Sequence, residues 1–248
     1  MTRLDLIREV ALRMDEVTPD IPVSGLTVDG ADNNPLYALI DGLVDAGALE
    51  LFSVAPYWRL PQVVFTSPGI IVEALPPAFG DRSSSGPGGL TTVTTRYIIR
   101  LKVPDGFLRV AEINCTGFLR PITEVCPEIS DMGRRQHNRV LMAKESRPVG
   151  VMSHGEWPTS TENVYDQCME IDCYSVSTNV ATSAVKASYI AKPSDIDDDD
   201  TNTDAVEEVV PPVLVPALEW LIAARTFGAR GDVNHAAVCQ QNAQNLLV

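Results

Sequence analysis

Long apolar runs are missing from this 248-residue chain. No stretch approaches the roughly 18 uninterrupted apolar residues that cross a bilayer, which argues against a membrane span. The opening segment, MTRLDLIREVALRMDE, carries charge throughout and lacks the apolar centre of a secretory signal. Synthesis in a cytosol is therefore expected. Zinc and disulfide frameworks are also missing. The five cysteines, Cys115, Cys126, Cys168, Cys173 and Cys239, are odd in number, contain no CxxC and match no zinc-ligand spacing. Reduced thiols are expected, with Cys168 and Cys173 on opposite faces of one strand. Positive charge is scarce: 19 Lys and Arg stand against 33 Asp and Glu, a net of -14. That balance excludes a generally basic nucleic-acid face.

Catalytic patterns are absent too. The chain has no GxxxxGK[ST], no GxGxxG and no GxSxG. His137, His154 and His235 show no ligand spacing to one another or to the cysteines. The acidic run Asp195 to Glu208 lacks the spaced ligands and terminal glutamate of a calcium loop, so it reads as a flexible, solvated loop. Trp58, Trp157 and Trp220 form no platform, and core packing is expected for each. No catalytic residue, cofactor site or metal site is assigned, and a non-enzymatic role is expected.

What the chain does have is a split layout. Hydrophobic residues make up 45% of it, enough for a sizeable core. Leu4, Ile7, Ala11 and Met14 recur at helical spacing behind Thr2, a natural N-cap. Asn34-Pro35 starts a second helix with the stripe Leu36, Leu39, Ile40, Leu43 and Val44. Pro216 opens a third helix, lined by Leu218, Leu221 and Ile222. Asp232 caps a fourth, striped by Val233, Ala236, Ala237, Gln240, Ala243 and Leu247. Arg230-Gly231-Asp232 reads as the joint between these helices, not as an adhesive tripeptide. Expected helix-packing residues are Leu36, Ile40, Leu43, Leu218, Leu221, Ile222, Ala236 and Ala237.

The middle reads as strand and loop. Val63–Phe65 and Ile70–Ala74 flank a hairpin-like Ser67-Pro68-Gly69 break, and Asp81–Gly89 is a flexible loop by composition. Thr95–Val103 alternates, with Tyr97, Ile99, Leu101 and Val103 on one face and Arg96, Arg100 and Lys102 on the other. Pro104-Asp105-Gly106 then turns the chain into a returning strand, Phe107–Ile113. A short helix or arm is expected over Ser130–Lys144, and strands over Met169–Val176 and Val185–Ala191.

The expected fold class is α+β: a helical bundle built from the N- and C-terminal helices, with an inserted antiparallel β-rich region. Residues 1–56 plus 209–248 form the discontinuous helical domain. Residues 57–208 form the insertion, with flexible loops at 81–89 and 195–208. The one basic cluster, Arg134, Arg135, Arg139, Lys144 and Arg147, is expected to face a neighbouring copy or DNA. A basic arm and an acidic loop can pair head-to-tail between identical copies.

DNNPLYALIDGLVDAGALELFSVAP (Asp32–Pro56) and VPALEWLIAARTFGARGDVNHAAVCQQNAQNLL (Val215–Leu247) resemble the helical ends of head-to-tail connector proteins of tailed bacteriophages, the neck rings and adaptors. The similarity is greatest to ring proteins of crAss-like phages. RYIIRLKVPDGFLRVAEI, Arg120-Pro121 and Arg134–Asn138 are similar to the sheet segment of such rings. The resemblance implies a closed ring of identical copies, twelve to match a portal. Portal protein would lie on one side and further neck or tail proteins on the other. Double-stranded DNA would pass through the channel without sequence recognition. It implies a virion location after assembly in the bacterial cytoplasm, and no cofactor, enzymatic activity or membrane contact. An acidic lumen would let DNA slide. The other readings weighed are a minor virion protein of the head or tail and a cellular binding module.

Overall fold

The computed structural model describes residues 1–17, 35–65, 70–72, 97–115, 119–136, 147–158, 165–175, 185–197 and 202–248. Asn34, the Ser67–Gly69 break and the Asp81–Gly89 loop lie outside these residues, as do Arg139, Lys144 and His137. The fold is α+β, with helices from both ends of the chain and antiparallel and mixed sheets between them.

Two compact units form. Met1–Pro61 and Ile190–Val248 make a helical unit, and Gln62–Tyr189 make a β unit. The insertion therefore ends at 189, not at 208. The physical reason is apolar. Ile196, Ala205, Val206 and Val210 are buried, so the stretch after the last strand belongs to the helical core. The main-chain N–H of Ile196 donates to Asp45 (3.0 Å), and its carbonyl accepts from Arg3 (2.7 Å). Ala205–Val209 is a short helix, correcting the expected open loop.

In the helical unit, α1 spans Arg3–Val17. Thr2 caps it: its hydroxyl accepts from the Asp5 N–H (3.0 Å), and the Asp5 carboxylate accepts from the Thr2 N–H (3.3 Å). Two otherwise orphaned donors are thereby satisfied. The buried stripe is Leu6, Ile7, Val10, Ala11 and Met14, with Leu4 at its edge. The second expected helix is two: α2 (Pro35–Asp41) and α3 (Val44–Val54), parted at Gly42-Leu43. There the Leu43 N–H reaches back only three residues, to Ile40, tightening the turn. The break lets Gly47 lie against the later helix that holds Ile222.

That helix, α6 (Val215–Ala229), is central. It follows α5 (Ala205–Val209) and a single 3₁₀ turn, Pro212–Leu214. Leu218, Leu221 and Ile222 are buried as expected, and so are Ala217, Glu219, Ala223, Thr226 and Phe227. A helix buried on most of its faces needs neighbours on several sides, and α1, α2, α3 and the last helix all contact it. Gly231, at φ 81°, turns the chain into α7 (Val233–Leu247). The Asp232 carboxylate caps α7 by accepting from the His235 N–H (3.2 Å). The buried face of α7 is Cys239, Ala243 and Leu247, flanked by half-buried Ala236. Val233, Ala237 and Gln240 are exposed, which corrects their expected place in the stripe. A helix with small residues on several sides gives weak guidance on which side turns inward.

In the β unit, β1 (Val63–Phe65), β8 (Val185–Ala191) and β4 (Phe107–Cys115) form a three-stranded sheet in the order β1-β8-β4. A five-stranded sheet runs β2-β3-β7-β6-β5, from Ile70–Val72, Tyr97–Lys102, Tyr165–Ser175, Val149–Pro158 and Val125–Pro127. Its last pair, β5 with β6, is parallel. The expected alternation holds where side chains are described: Ile99, Leu101 and Val103 are buried, while Arg100 and Lys102 lie on the other face. Both expected hairpins are corrected, because β1 and β2 join different sheets, as do β3 and β4. The Pro104–Gly106 turn is real, with Gly106 at φ 74° and the Phe107 N–H on the Pro104 carbonyl. It carries the chain across to the second sheet. The core of the unit draws on both sheets: Ile99, Leu101 and Val103, Ile113, Ile171 with Cys173, and Ala187.

Candidate functional site

Among the described residues, no cluster of three or more His, Cys, Asp or Glu is arranged to hold a metal ion. No described helix is long and apolar enough to cross a membrane. The cavity lined by Leu101, Val103, Phe107, Val110 and Tyr189 is an apolar gap of about 20 Å³, room for one water. Tyr37 is buried with its hydroxyl unpartnered, and burial raises its pKa.

Cys173 and Cys239 are buried. Burial, reinforced by the Asp232 charge, pushes the Cys239 thiol up to about 11. Thiolate, not thiol, is the nucleophile. Cys239 should therefore resist iodoacetamide at pH 8 in the folded protein and react on denaturation, with intact mass as the readout. The Asp232 carboxyl is held below the usual range, chiefly by the hydrogen bond with the His235 side chain. A depressed folded pKa stabilises above the unfolded value and loses that effect as pH falls through the folded one. Amide protection in the first turn of α7, measured relative to the intrinsic exchange rate, should therefore fall progressively as the pH drops from the ordinary Asp value through the lower folded one.

Five of the six arginines of the helical unit are committed. Arg3 donates to Asp41 (2.6 Å) and Asp45 (3.2 Å), Arg8 to Asp5 (3.3 Å) and Arg13 to the buried Glu219 (2.9 Å). Arg225 pairs with Glu50 (2.5 Å). Arg59 donates to the carbonyls of Leu246 and Val248. Arg13 also stacks over Trp220, 5.6 Å from the ring centre. Seven Lys and Arg against twenty Asp and Glu fall in this unit, a net of -13. Twelve against thirteen fall in the β unit, a net of -1. The acidity of the chain is thus the acidity of one unit.

The basic cluster divides. Arg134 and Arg135 lie on α4 (Asp131–Arg135), exposed and without a hydrogen bond or ion pair to a described residue. Arg147 is also exposed, and Arg139 and Lys144 fall outside the described residues. The structure brings Arg134 and Arg135 together on one short helix. Of the expected helix-packing residues, Ile40, Leu218, Leu221 and Ile222 are buried, Leu36, Leu43 and Ala236 half-buried, and Ala237 exposed.

Sequence reasoning missed the exposed apolar residues. Trp58 is 68% exposed, stacked edge-on against Tyr57, where core packing was expected. Ile129 (79%), Leu119 (74%) and Val213 (66%) also face out. Single residues of this kind carry no periodic signal, and only their surroundings reveal them. No protein-family model matches the chain, and no curated protein matches it.

Proposed function

We propose that the protein is a structural subunit of a tailed-phage neck: a ring of identical copies that joins portal to tail and surrounds the DNA channel. The observation that carries this reading is the architecture. A helical unit is built from both ends of the chain, and the segment between them in sequence forms a separately cored β unit, the plan that the resemblance implies. The outward apolar residues of both units support it, because ring subunits bury flanks that an isolated copy leaves in water. The charge division supports it as well. A unit of net -13 facing the channel repels phosphate, so DNA passes without being held. The partners are sister copies, twelve in number, portal protein, further neck or tail proteins, and DNA contacted without sequence recognition.

The test is imaging of the native particle together with mass measurement in solution, alone and with portal. The reading expects a ring density of this fold below the portal and a high-mass species when portal is present. A monomer under every condition, with no such density in the neck, would remove it.

A further inference from the structure

A small knob in the β unit displays three exposed side chains that the described residues of the unit do not use. The Ser130 N–H donates to the Pro127 carbonyl (3.0 Å), closing a turn, and the Ser130 hydroxyl caps α4 by accepting from the Gly133 N–H (3.0 Å). A Cβ at Gly133 would lie 2.5 Å from the Glu128 carbonyl oxygen, so only glycine lets helix and turn close this tightly. The tip of the turn is Ile129, 79% exposed, and the helix behind it carries Arg134 and Arg135, exposed and without an ion pair among the described residues. An apolar tip backed by two guanidinium groups is a docking surface with a definite complement: an apolar contact set beside carboxylates.

The helical unit carries that complement. Asp204 and Glu208 are exposed at either end of the first turn of α5, and Val213 lies just beyond, 66% exposed. The Asp204 carboxylate makes no cap bond, and among the described residues Glu208 takes only the Asn202 amide (3.3 Å). Five of the unit's six arginines, all but Arg230, are spent on other carboxylates and carbonyls. We infer that the Pro127–Arg135 knob of one copy docks on the Asp204–Val213 shelf of the next. Ile129 meets Val213, and Arg134 with Arg135 meets Asp204 and Glu208. Two helical units of net -13 repel each other, so the favoured contact between copies runs from helical unit to β unit. Such a contact is head-to-tail and closes a ring when its rotation permits. The inference rests on the ring reading and names its interface.

Charge exchange tests it in the full chain. Arg134→Glu with Arg135→Glu, and separately Asp204→Lys with Glu208→Lys, should each weaken self-association at least about tenfold by sedimentation. An equimolar mixture of the two variants should recover it, as should all four substitutions in one chain. All these positions are exposed, and circular dichroism checks that the fold is kept. Ile129→Ser should weaken association without reducing its salt dependence. Either charge variant assembling like the parent, a mixture that stays apart, or a monomeric parent overturns the inference. So does duplex DNA binding that Arg134→Glu with Arg135→Glu abolishes, since the knob would then serve phosphate. Neck rings seen in particles carrying the arginine variant would remove this interface and leave the ring reading standing. Absence of rings from the parent particle would remove the ring reading itself.

Discussion

Ile222→Ala should destabilise the helical unit by about 2–5 kcal/mol, read from urea unfolding followed by helical circular dichroism. Ile222 is fully buried in the central helix, and its Cγ1 stands where a Cβ on Gly47 would lie, 2.5 Å away. The partner substitution decides the mechanism. Alanine is a better helix former than glycine by roughly 0.8–1 kcal/mol, so propensity alone predicts that Gly47→Ala stabilises α3. Overpacking costs about 1–3 kcal/mol and outweighs that gain, because the group in the way is the Cγ1 methylene next to the branched Cβ of Ile222, not the end of a flexible chain. Gly47→Ala should therefore destabilise by itself. With Ile222→Ala it should refill part of the cavity, making the double variant more stable than the sum of the two losses. Strict additivity would show that α3 and α6 do not meet there.

Arg13→Ala should cost about 2–4 kcal/mol, because it takes from Glu219 the guanidinium that accompanies it into the core. Glu219 is 4% exposed, whereas the Arg13 side chain is 30% exposed, so the upper range for fully buried pairs is discounted. The loss has two parts, since Arg13 also covers the face of Trp220. Adding Glu219→Leu to Arg13→Ala should return much of the stability, because the stranded carboxylate is gone. A cycle in which the two losses simply add would place the cost in lost packing over Trp220. The readout is the thermal midpoint of the helical unit.

Capping and alternation were legible where one residue type has one local use. Thr2 and Asp232 are N-caps because their side-chain oxygens reach amides that nothing else satisfies. The burial of Ile99, Leu101 and Val103 followed from period-two alternation along β3. Where a local signal serves two outcomes, the reading failed. Pro104-Asp105-Gly106 makes the same turn whether the next strand pairs back or crosses to another sheet, and only the distant partners β7 and β8 decide. The acidic run concealed Ile196 and Val206, whose main chains are held from far away in sequence, Ile196 by Arg3 and Asp45 and Val206 by the Met1 carbonyl. In α7, Cys239 was weighed as a thiol and proved to be the inner residue of the helix. Arg134 and Arg135 were legible as a basic pair. Ile129 was not, since one isoleucine between glutamate and serine forms no pattern.

The order in which the chain is made has a consequence for the helical unit. The central helix α6 begins at Val215, and α1 to α3, which wrap it, are finished by Val54. At elongation rates of about 5–20 residues per second, the early helices wait on the order of 10 s or more on the ribosome before their core partner is translated. The β unit, complete at Tyr189, can fold during that pause. Leu6, Val10, Ile40 and Leu51, buried in the finished unit, meanwhile lack the central helix against which α1 to α3 pack. On a crowded polysome the first α6 to arrive can belong to another nascent chain, and that exchange would knit sister copies together from birth.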